Sequence, residues 1–182
     1  MAVARQATGA IEATGIIGRS RGLAGLGSLP AFELPAVDGG AVRSWDYRSR
    51  EHLVVVLAGT EPDGALLGEL GRREREVRSE DAAVLVVMRS EADHATDVWE
   101  RSGRPGRALV DAAGRAHARV GAKGEPELLV VDRDGTVYWR AALSEAPPER
   151  LLNEALSWLQ YMNILEHECG TCVPAWPDED LP

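Results

Sequence analysis

Two continuously apolar runs near the middle of the chain, at residues 53–58 (LVVVLA) and 82–88 (AAVLVVM), are rich in β-branched side chains. Such runs are typical of strands that are covered on both faces. Shorter apolar segments further along the chain predict three more strands: residues 108–110, 127–131 and 136–140. The dipeptide Asp134-Gly135 predicts a two-residue hairpin turn between the last two of them. These segments form the predicted central sheet.

The segments between the predicted strands are expected to be helical: residues 60–79, 91–102 and 111–120. In the first helix we expect Thr60 to be the N-cap, with Asp63 as its capping-box partner and Pro62 in the first turn. A last helix is expected to begin at Pro147-Pro148. Apolar residues recur after these prolines at three- and four-residue spacing, so one face of the helix is expected to pack on the sheet.

The order of these elements is strand, helix, strand, helix, strand, short helix, hairpin and final helix. Alternating strands and helices predict parallel pairing through right-handed crossovers, and the hairpin adds antiparallel pairing at one side. The expected fold class is therefore α/β, a three-layer sandwich with a mixed central sheet and helices on both faces. Upstream of the sheet, the turn sequence Asp38-Gly39-Gly40 predicts a separate hairpin within residues 29–43.

Length and charge limit the organisation and the partners. A chain of 182 residues is about one domain. We divide it into an N-terminal extension (1–28), a single domain (29–165) and an acidic tail (166–182) that holds both cysteines. The net charge of −9 argues against a nucleic-acid or anionic-membrane partner, because both require clustered positive charge. No apolar run approaches the roughly 20 residues of a membrane span, and no export signal is visible, so we expect a cytoplasmic protein.

Three stretches of the chain resemble, in the same order, the thioredoxin fold in its peroxiredoxin-like version, the family of alkyl hydroperoxide reductases and related redoxins. They read LPAFELPAVDGGAVRSWDYRSREHLVVVLAG (29–59), LVDAAGRAHARVGA (109–122) and PELLVVDRDGTVYWR (126–140). The resemblance implies a thioredoxin-like sandwich in which the first stretch leads into the central strand. It also implies that Pro126 takes the place of a proline that is usually cis and is turned toward the active-site loop.

The same resemblance shows where this chain departs from the family. Family members carry a reactive cysteine at the start of the helix after the first central strand, where the helix dipole and free N–H groups stabilise a thiolate. Here the loop reads GTEPDG (59–64), with Glu61 and Gly64 at the two thiol positions, and no cysteine occurs in residues 1–168. The residues of this vacated family site are Thr60, Glu61, Gly64 and Pro126.

Two interpretations of the vacated loop remain open. Glu61 and Asp63 are either ordinary acidic residues at a helix start, or groups of a site that binds a ligand or acts as a base. Neither carboxylate can replace a thiol as a peroxide nucleophile, because it cannot cycle through a sulfenic acid or a disulfide. The peroxidase activity of the family is therefore not carried over to this loop.

The only two cysteines form the Cys-x-x-Cys pair Cys169 and Cys172, directly after the last predicted helix. A helix C-terminus together with Glu166 and Glu168 should raise the thiol pKa rather than lower it. Three interpretations compete. The pair is a redox couple, or with His167 it is part of a zinc or other metal site, or it is a tail turn without chemistry.

Few other residues suggest a site. His52, His94 and His117 are scattered beside charged or loop residues, so we expect them on the solvated surface. Trp176, in the proline-flanked segment 173–177, is a candidate partner contact.

We expect an accessory or protein-binding component that acts with a protein partner or as a homodimer and needs no cofactor. The alternatives are a thiol–disulfide oxidoreductase that uses Cys169 and Cys172, and a metal-binding assembly subunit.

Overall fold

The computed structural model describes residues 26–60, 62–122 and 124–168, with the backbone alone for residues 166–168. Its strands are β1 (Glu33–Pro35), β2 (Ala41–Arg43), β3 (His52–Ala58), β4 (Ala82–Met88), β5 (Arg107–Val110), β6 (Glu127–Val131) and β7 (Val137–Ala142). Strands β3 to β7 form one sheet in the order β5-β4-β3-β6-β7. Strand β3 pairs parallel with β4 and antiparallel with β6, so the mixed sheet predicted from the sequence is confirmed.

The central strand is apolar from Leu53 to Ala58 because it is covered on both faces. Its alternate residues Val54 and Val56 belong to one hydrophobic cluster, and Val55 and Leu57 belong to the other. All seven residues of β3 are buried, which explains why the sequence shows a continuous apolar run there instead of alternation. The sheet is therefore the middle layer of the molecule.

Four helices cover the sheet in the described part of the chain: α1 (Gly64–Ser79), α2 (Ala92–Arg101), α3 (Arg115–Val120) and α4 (Pro148–Glu168). Helices α1, α2 and α4 pack into the first cluster, while α3 and the β1–β2 hairpin pack into the second. The predicted three-layer arrangement with helices on both faces is thus confirmed. None of the described helices is long and apolar enough to cross a membrane.

Short backbone contacts cover parts of both sheet edges. At the β5 edge, the Val37 N–H donates to the Ala108 carbonyl oxygen at 2.9 Å. At the β7 edge, the Leu26 N–H donates to the Val137 carbonyl oxygen at 2.7 Å, and the Val137 N–H donates to the Gly27 carbonyl oxygen at 2.8 Å. The last residues of the predicted N-terminal extension therefore contact the sheet, while residues 1–25 lie outside the described part.

Two loop boundaries differ from the sequence prediction. The Asp132 N–H donates to the Thr136 carbonyl oxygen at 2.9 Å, so the β6–β7 turn has three residues instead of two, with Gly135 at a φ of 89°. Helix α3 begins at Arg115 instead of at Asp111, because the chain turns sharply at Gly114, whose φ is 66°. Only glycine adopts that conformation without strain.

Helices α1 and α4 run side by side in the same direction. The Arg73 guanidinium donates to Asn153 Oδ1 at 2.7 Å, and the Asn163 amide donates to the Glu80 carbonyl oxygen at 3.2 Å. Asn163 Oδ1 lies 3.1 Å from His52 Nε2, at the first residue of β3. The C-terminal end of α4 therefore lies at the end of the sheet where β3 begins, opposite the loop that follows β3.

This contact also corrects one prediction. His52 is fully buried, not solvated, because Asn163 of the long α4 helix covers its ring.

The connection from α2 to β5 approaches β4 so closely that it requires glycine at position 106. A Cβ there would lie 2.4 Å from the Val84 carbonyl oxygen, and Gly106 has a φ of 54°. We expect Gly106→Ala to lower the free energy of unfolding by about 3 kcal/mol, because both the contact and the backbone angle become strained. Urea unfolding followed by tryptophan fluorescence measures the effect.

Gly68 provides the matched control. It lies inside α1, where a Cβ would have no atom within 4 Å. Gly68→Ala should therefore raise the free energy of unfolding by about 0.5–1 kcal/mol through helix propensity. Equal effects of the two substitutions would contradict the close approach at Gly106.

Candidate functional site

The loop after β3 carries most of the residues that the family resemblance assigns to an active site. Asp63 is the N-cap of α1, and its Oδ1 accepts the N–H groups of Ala65 at 2.8 Å and Leu66 at 3.3 Å. The expectation that Thr60 caps this helix is wrong, because the Asp63 carboxylate is the group that reaches the free N–H groups. Thr60 is exposed, and Glu61 lies outside the described residues.

The Asp63 cap limits what this helix end can bind. The start of a helix attracts an anion, because its N–H groups are free and the helix dipole is positive there. In this chain the anion is the protein's own carboxylate. The donors that would stabilise a thiolate at the position of Gly64 are therefore already hydrogen-bonded to Asp63.

Pro126 lies beside the same loop. A Cβ on Gly59 would be 3.6 Å from the Pro126 Cγ, so the loop and the ring are neighbours as the resemblance implies. The Glu125–Pro126 peptide bond is trans, however, so the expected cis bond is not present. Trans is the intrinsically favoured isomer. The Pro126 carbonyl oxygen accepts the Leu143 N–H at 2.9 Å, which continues the pairing of β6 with β7.

A buried, hydrogen-bonded aspartate–histidine pair lies next to this loop. His117 on α3 places its Nδ1 2.7 Å from Asp111 Oδ2 and its Nε2 2.8 Å from the carbonyl oxygen of Ala58, the last residue of β3. The side chains of Asp111 and His117 are buried. The expectation that His117 lies on the solvated surface is therefore wrong, because β3 and α3 enclose its ring. His94 is exposed, as expected.

The hydrogen bonds define the charges of this pair. A carbonyl oxygen only accepts, so His117 Nε2 must carry the hydrogen in its bond to Ala58. Burial by itself would raise the pKa of Asp111, but hydrogen bonds from the His117 ring and from the backbone outweigh it and lower the pKa. Asp111 is thus a carboxylate at neutral pH and accepts a hydrogen from Nδ1 as well. Both ring nitrogens of His117 therefore face oxygen atoms that accept hydrogen bonds.

Helix α3, which carries His117, is held at both ends. At its start, Asp111 Oδ1 accepts the Arg115 N–H at 2.8 Å. At its end, the Arg140 guanidinium donates to the carbonyl oxygens of Val120 and Gly121, each at 3.1 Å, and pairs with the Glu127 carboxylate. This short helix therefore depends on polar contacts at its ends, because it has too few residues to be stable alone.

Other predicted site residues fall outside this arrangement. Cys169, Cys172 and Trp176 lie outside the described residues, and so does the side chain of His167. No group of three or more His, Cys, Asp or Glu side chains placed to hold a metal ion occurs among the described residues. The structure therefore brings together Thr60, Gly64 and Pro126 at the end of β3, and it adds Asp111 and His117 beside them.

The sequence held a signal for Asp111 that we did not use. An acidic residue directly after a buried strand and four residues before a helix is placed to accept the free N–H groups of that helix. His117 has no comparable signal, because its second partner, Ala58, is 59 residues away in the chain.

This architecture is the thioredoxin fold in its peroxiredoxin-type form, as solved structures show. Peroxidoxin BcpB from Mycobacterium tuberculosis matches with a TM-score of 0.64 at 20% identity, covering 76% of this chain and 97% of that chain. Thioredoxin peroxidase I from Plasmodium yoelii matches with a TM-score of 0.68 at 14% identity, covering 84% and 98%. The thioredoxin domain of a thiol-disulfide oxidoreductase from Bacteroides vulgatus matches with 0.64 at 14% identity, covering 75% and 99%.

These likenesses confirm the predicted fold class, and at such identities they establish the fold alone. No protein-family profile matches the chain. No curated protein matches it in sequence.

We expect Asp63→Ala to lower the free energy of unfolding by about 1 kcal/mol, because α1 loses the carboxylate that accepts its first N–H groups. Thr60→Ala should change it by less than about 0.5 kcal/mol, because Thr60 is exposed and is not the cap. Urea unfolding of both variants measures the difference. A larger loss in the Thr60 variant would contradict the assignment of the N-cap.

The Asp111–His117 pair predicts a pH-dependent stability. Folding lowers the pKa of Asp111 below its ordinary unfolded value of about 3.9. The carboxylate therefore stabilises the fold fully at pH values above about 3.9. This contribution is lost as the pH falls through the lower pKa of the folded state. We expect Asp111→Asn to cost about 1.5–3 kcal/mol near pH 7, because the N–H donors that face Asp111 lose an ionised acceptor. The difference from wild type should shrink as the pH falls below about 4.

Unfolding in urea at pH 7, 5 and 3 tests this expectation. Asp97→Asn is the matched control, because Asp97 pairs with Arg101 on the surface of α2, with side-chain exposures of 62% and 67%. Such a pair contributes less than about 1 kcal/mol. A difference for Asp111→Asn that did not change with pH would contradict the role of the carboxylate.

Proposed function

We propose that this chain is a redoxin-like protein with a vacated thiol site, and that it acts as an accessory or protein-binding component with a C-terminal dithiol, Cys169 and Cys172. One observation carries the proposal: Asp63 accepts the N–H groups at the start of α1, where a thiolate would need them. Residues 1–168 contain no cysteine. Thiol-based peroxide reduction forms a sulfenic acid, and a carboxylate does not.

The path of α4 supports the view that the dithiol does not substitute for the missing thiol. Helix α4 ends at Glu168, at the end of the sheet where β3 begins. The loop with Asp63 follows the other end of β3, which has seven residues. At roughly 3.3 Å per residue the two ends are about 20 Å apart. The chain therefore leaves the described part far from the vacated loop.

A second candidate function is thiol–disulfide exchange at Cys169 and Cys172. It is favoured by the Cys-x-x-Cys spacing and by a structural neighbour from Bacteroides vulgatus that is described as a thiol-disulfide oxidoreductase. Metal binding by the same pair, with His167 as a further ligand, is the remaining alternative. The three differ in what they require of the sulfur atoms, so the double variant Cys169→Ser/Cys172→Ser separates them.

We expect wild type and the double variant to consume hydrogen peroxide and to reduce the disulfides of insulin at the same background rate, because the cap at α1 leaves no thiol site in the domain. A rate that the double variant loses would support the oxidoreductase and contradict the accessory role. Zinc retained by wild type after purification without chelator, and absent from the double variant, would support the metal-binding alternative.

Truncation after Glu166 tests the binding role. We expect the truncated chain to keep its thermal midpoint within about 2 °C, because it retains the buried residues of α4, which extend to Met162 among the described residues. It should lose a partner that the full chain and the double variant both capture from a cell extract, or a self-association seen by analytical ultracentrifugation. Trp176→Ala should weaken the same interaction. Capture and self-association that are unchanged in the truncated chain would contradict the tail as the contact.

A further inference from the structure

A cavity of about 290 Å³ opens at the end of the sheet where β3, β4 and β5 all end. Its lining includes Gly59 after β3, Arg89 after β4 and Gly114 after β5, together with Glu125 before β6. Strands β3, β4 and β5 are parallel, so their carboxyl ends meet at this edge, while the antiparallel strand β6 begins there. Ligands of α/β sheets bind outside the carboxyl ends of parallel strands.

Among the described residues that line this cavity, Arg89 is a cation without a bonded partner. It makes no hydrogen bond or ion pair with any described residue, and its side chain is exposed. Gly114 makes room for it, because a Cβ at that position would lie 3.0 Å from Arg89 Nε. A guanidinium held over a glycine and open to a cavity offers paired N–H donors that match a carboxylate.

The other polar groups of the cavity narrow the choice of ligand. Both ring nitrogens of His117 are already bonded to Asp111 and Ala58, so the ring is not available to a ligand. Glu125 is exposed, and its nearest bonded partner is the Ser144 hydroxyl at 3.4 Å, so it can accept a further hydrogen bond. A ligand that suits both Arg89 and Glu125 carries a carboxylate and a separate hydrogen-bond donor.

We propose that this cavity binds a small organic carboxylate that also carries a hydroxyl or ammonium group, with Arg89 holding the carboxylate and Glu125 the donor group. The volume fits this class: 290 Å³ is close to the lower limit of small-molecule sites, and it equals about ten water volumes. The proposal is independent of the accessory function, because it uses no residue of the tail and involves no sulfur chemistry.

Nuclear magnetic resonance of the ¹⁵N-labelled full chain tests the proposal. Lactate is the main probe, acetate lacks the donor group, inorganic phosphate is a non-carboxylate anion, and tri-alanine presents the carboxylate of a peptide end. We expect saturable shifts of the Gly59, Gly114 and Gly124 amides with lactate below about 10 mM, which corresponds to millimolar affinity. Acetate should bind more weakly.

Arg89→Gln should weaken lactate binding about tenfold, because a charge-assisted bidentate contact is lost. Arg75→Gln is the matched control, since Arg75 is an exposed arginine on α1 without a partner among the described residues, and it should leave the affinity unchanged. The amide spectrum of each variant reports its folding in the same experiment.

Four outcomes would overturn the proposal: no saturable shift with lactate, equal affinity in Arg89→Gln, an equal loss in Arg75→Gln, or phosphate binding as tight as lactate. Tighter binding of tri-alanine than of lactate would overturn the assignment to a free small acid and identify a peptide carboxyl terminus as the source of the carboxylate.

Discussion

The contact between His117 and the carbonyl oxygen of Ala58 is the constraint on which this end of the molecule depends. Ala58 is the last residue of the central strand and is 1% exposed, so its carbonyl oxygen has little access to water. A buried carbonyl needs a donor, and His117 supplies it. Asp111 orients the imidazole and also accepts backbone N–H groups of α3. One carboxylate therefore positions the end of β3, the start of α3 and one wall of the neighbouring cavity.

Two aspartates perform related tasks at this end of the sheet under different conditions. Asp63 accepts the N–H groups of α1 at the exposed surface, where water competes and the net gain is small. Asp111 does the same for α3 in the interior, where it also bonds the His117 ring at Nδ1. The interior position makes its hydrogen bonds more consequential, because a buried charge that loses its partner has no water to replace it.

The sequence predicted most of the fold, and the reasons are local. Strands β4 and β6 have the bounds predicted from the sequence, because a strand buried on both faces forms a nearly continuous apolar run. The site was predicted less well. The resemblance located the loop after β3, but it did not indicate the contacts of the two buried histidines. His52 contacts Asn163, which is 111 positions away in the chain, and His117 contacts Ala58, which is 59 positions away. The periodicity of apolar residues within a short stretch of sequence does not indicate contacts between residues so far apart in the chain.

The carboxylate at the start of α1 also sets how many substitutions a reactive thiol would need in this loop. Glu61→Cys alone would introduce a sulfur atom, but Asp63 would still accept the N–H groups that could otherwise stabilise a thiolate. A second substitution at Asp63 would free those N–H groups, and that change by itself weakens the helix. A reactive thiol in this loop is therefore at least two mutations away, and one of the single steps lowers stability before any reactivity appears.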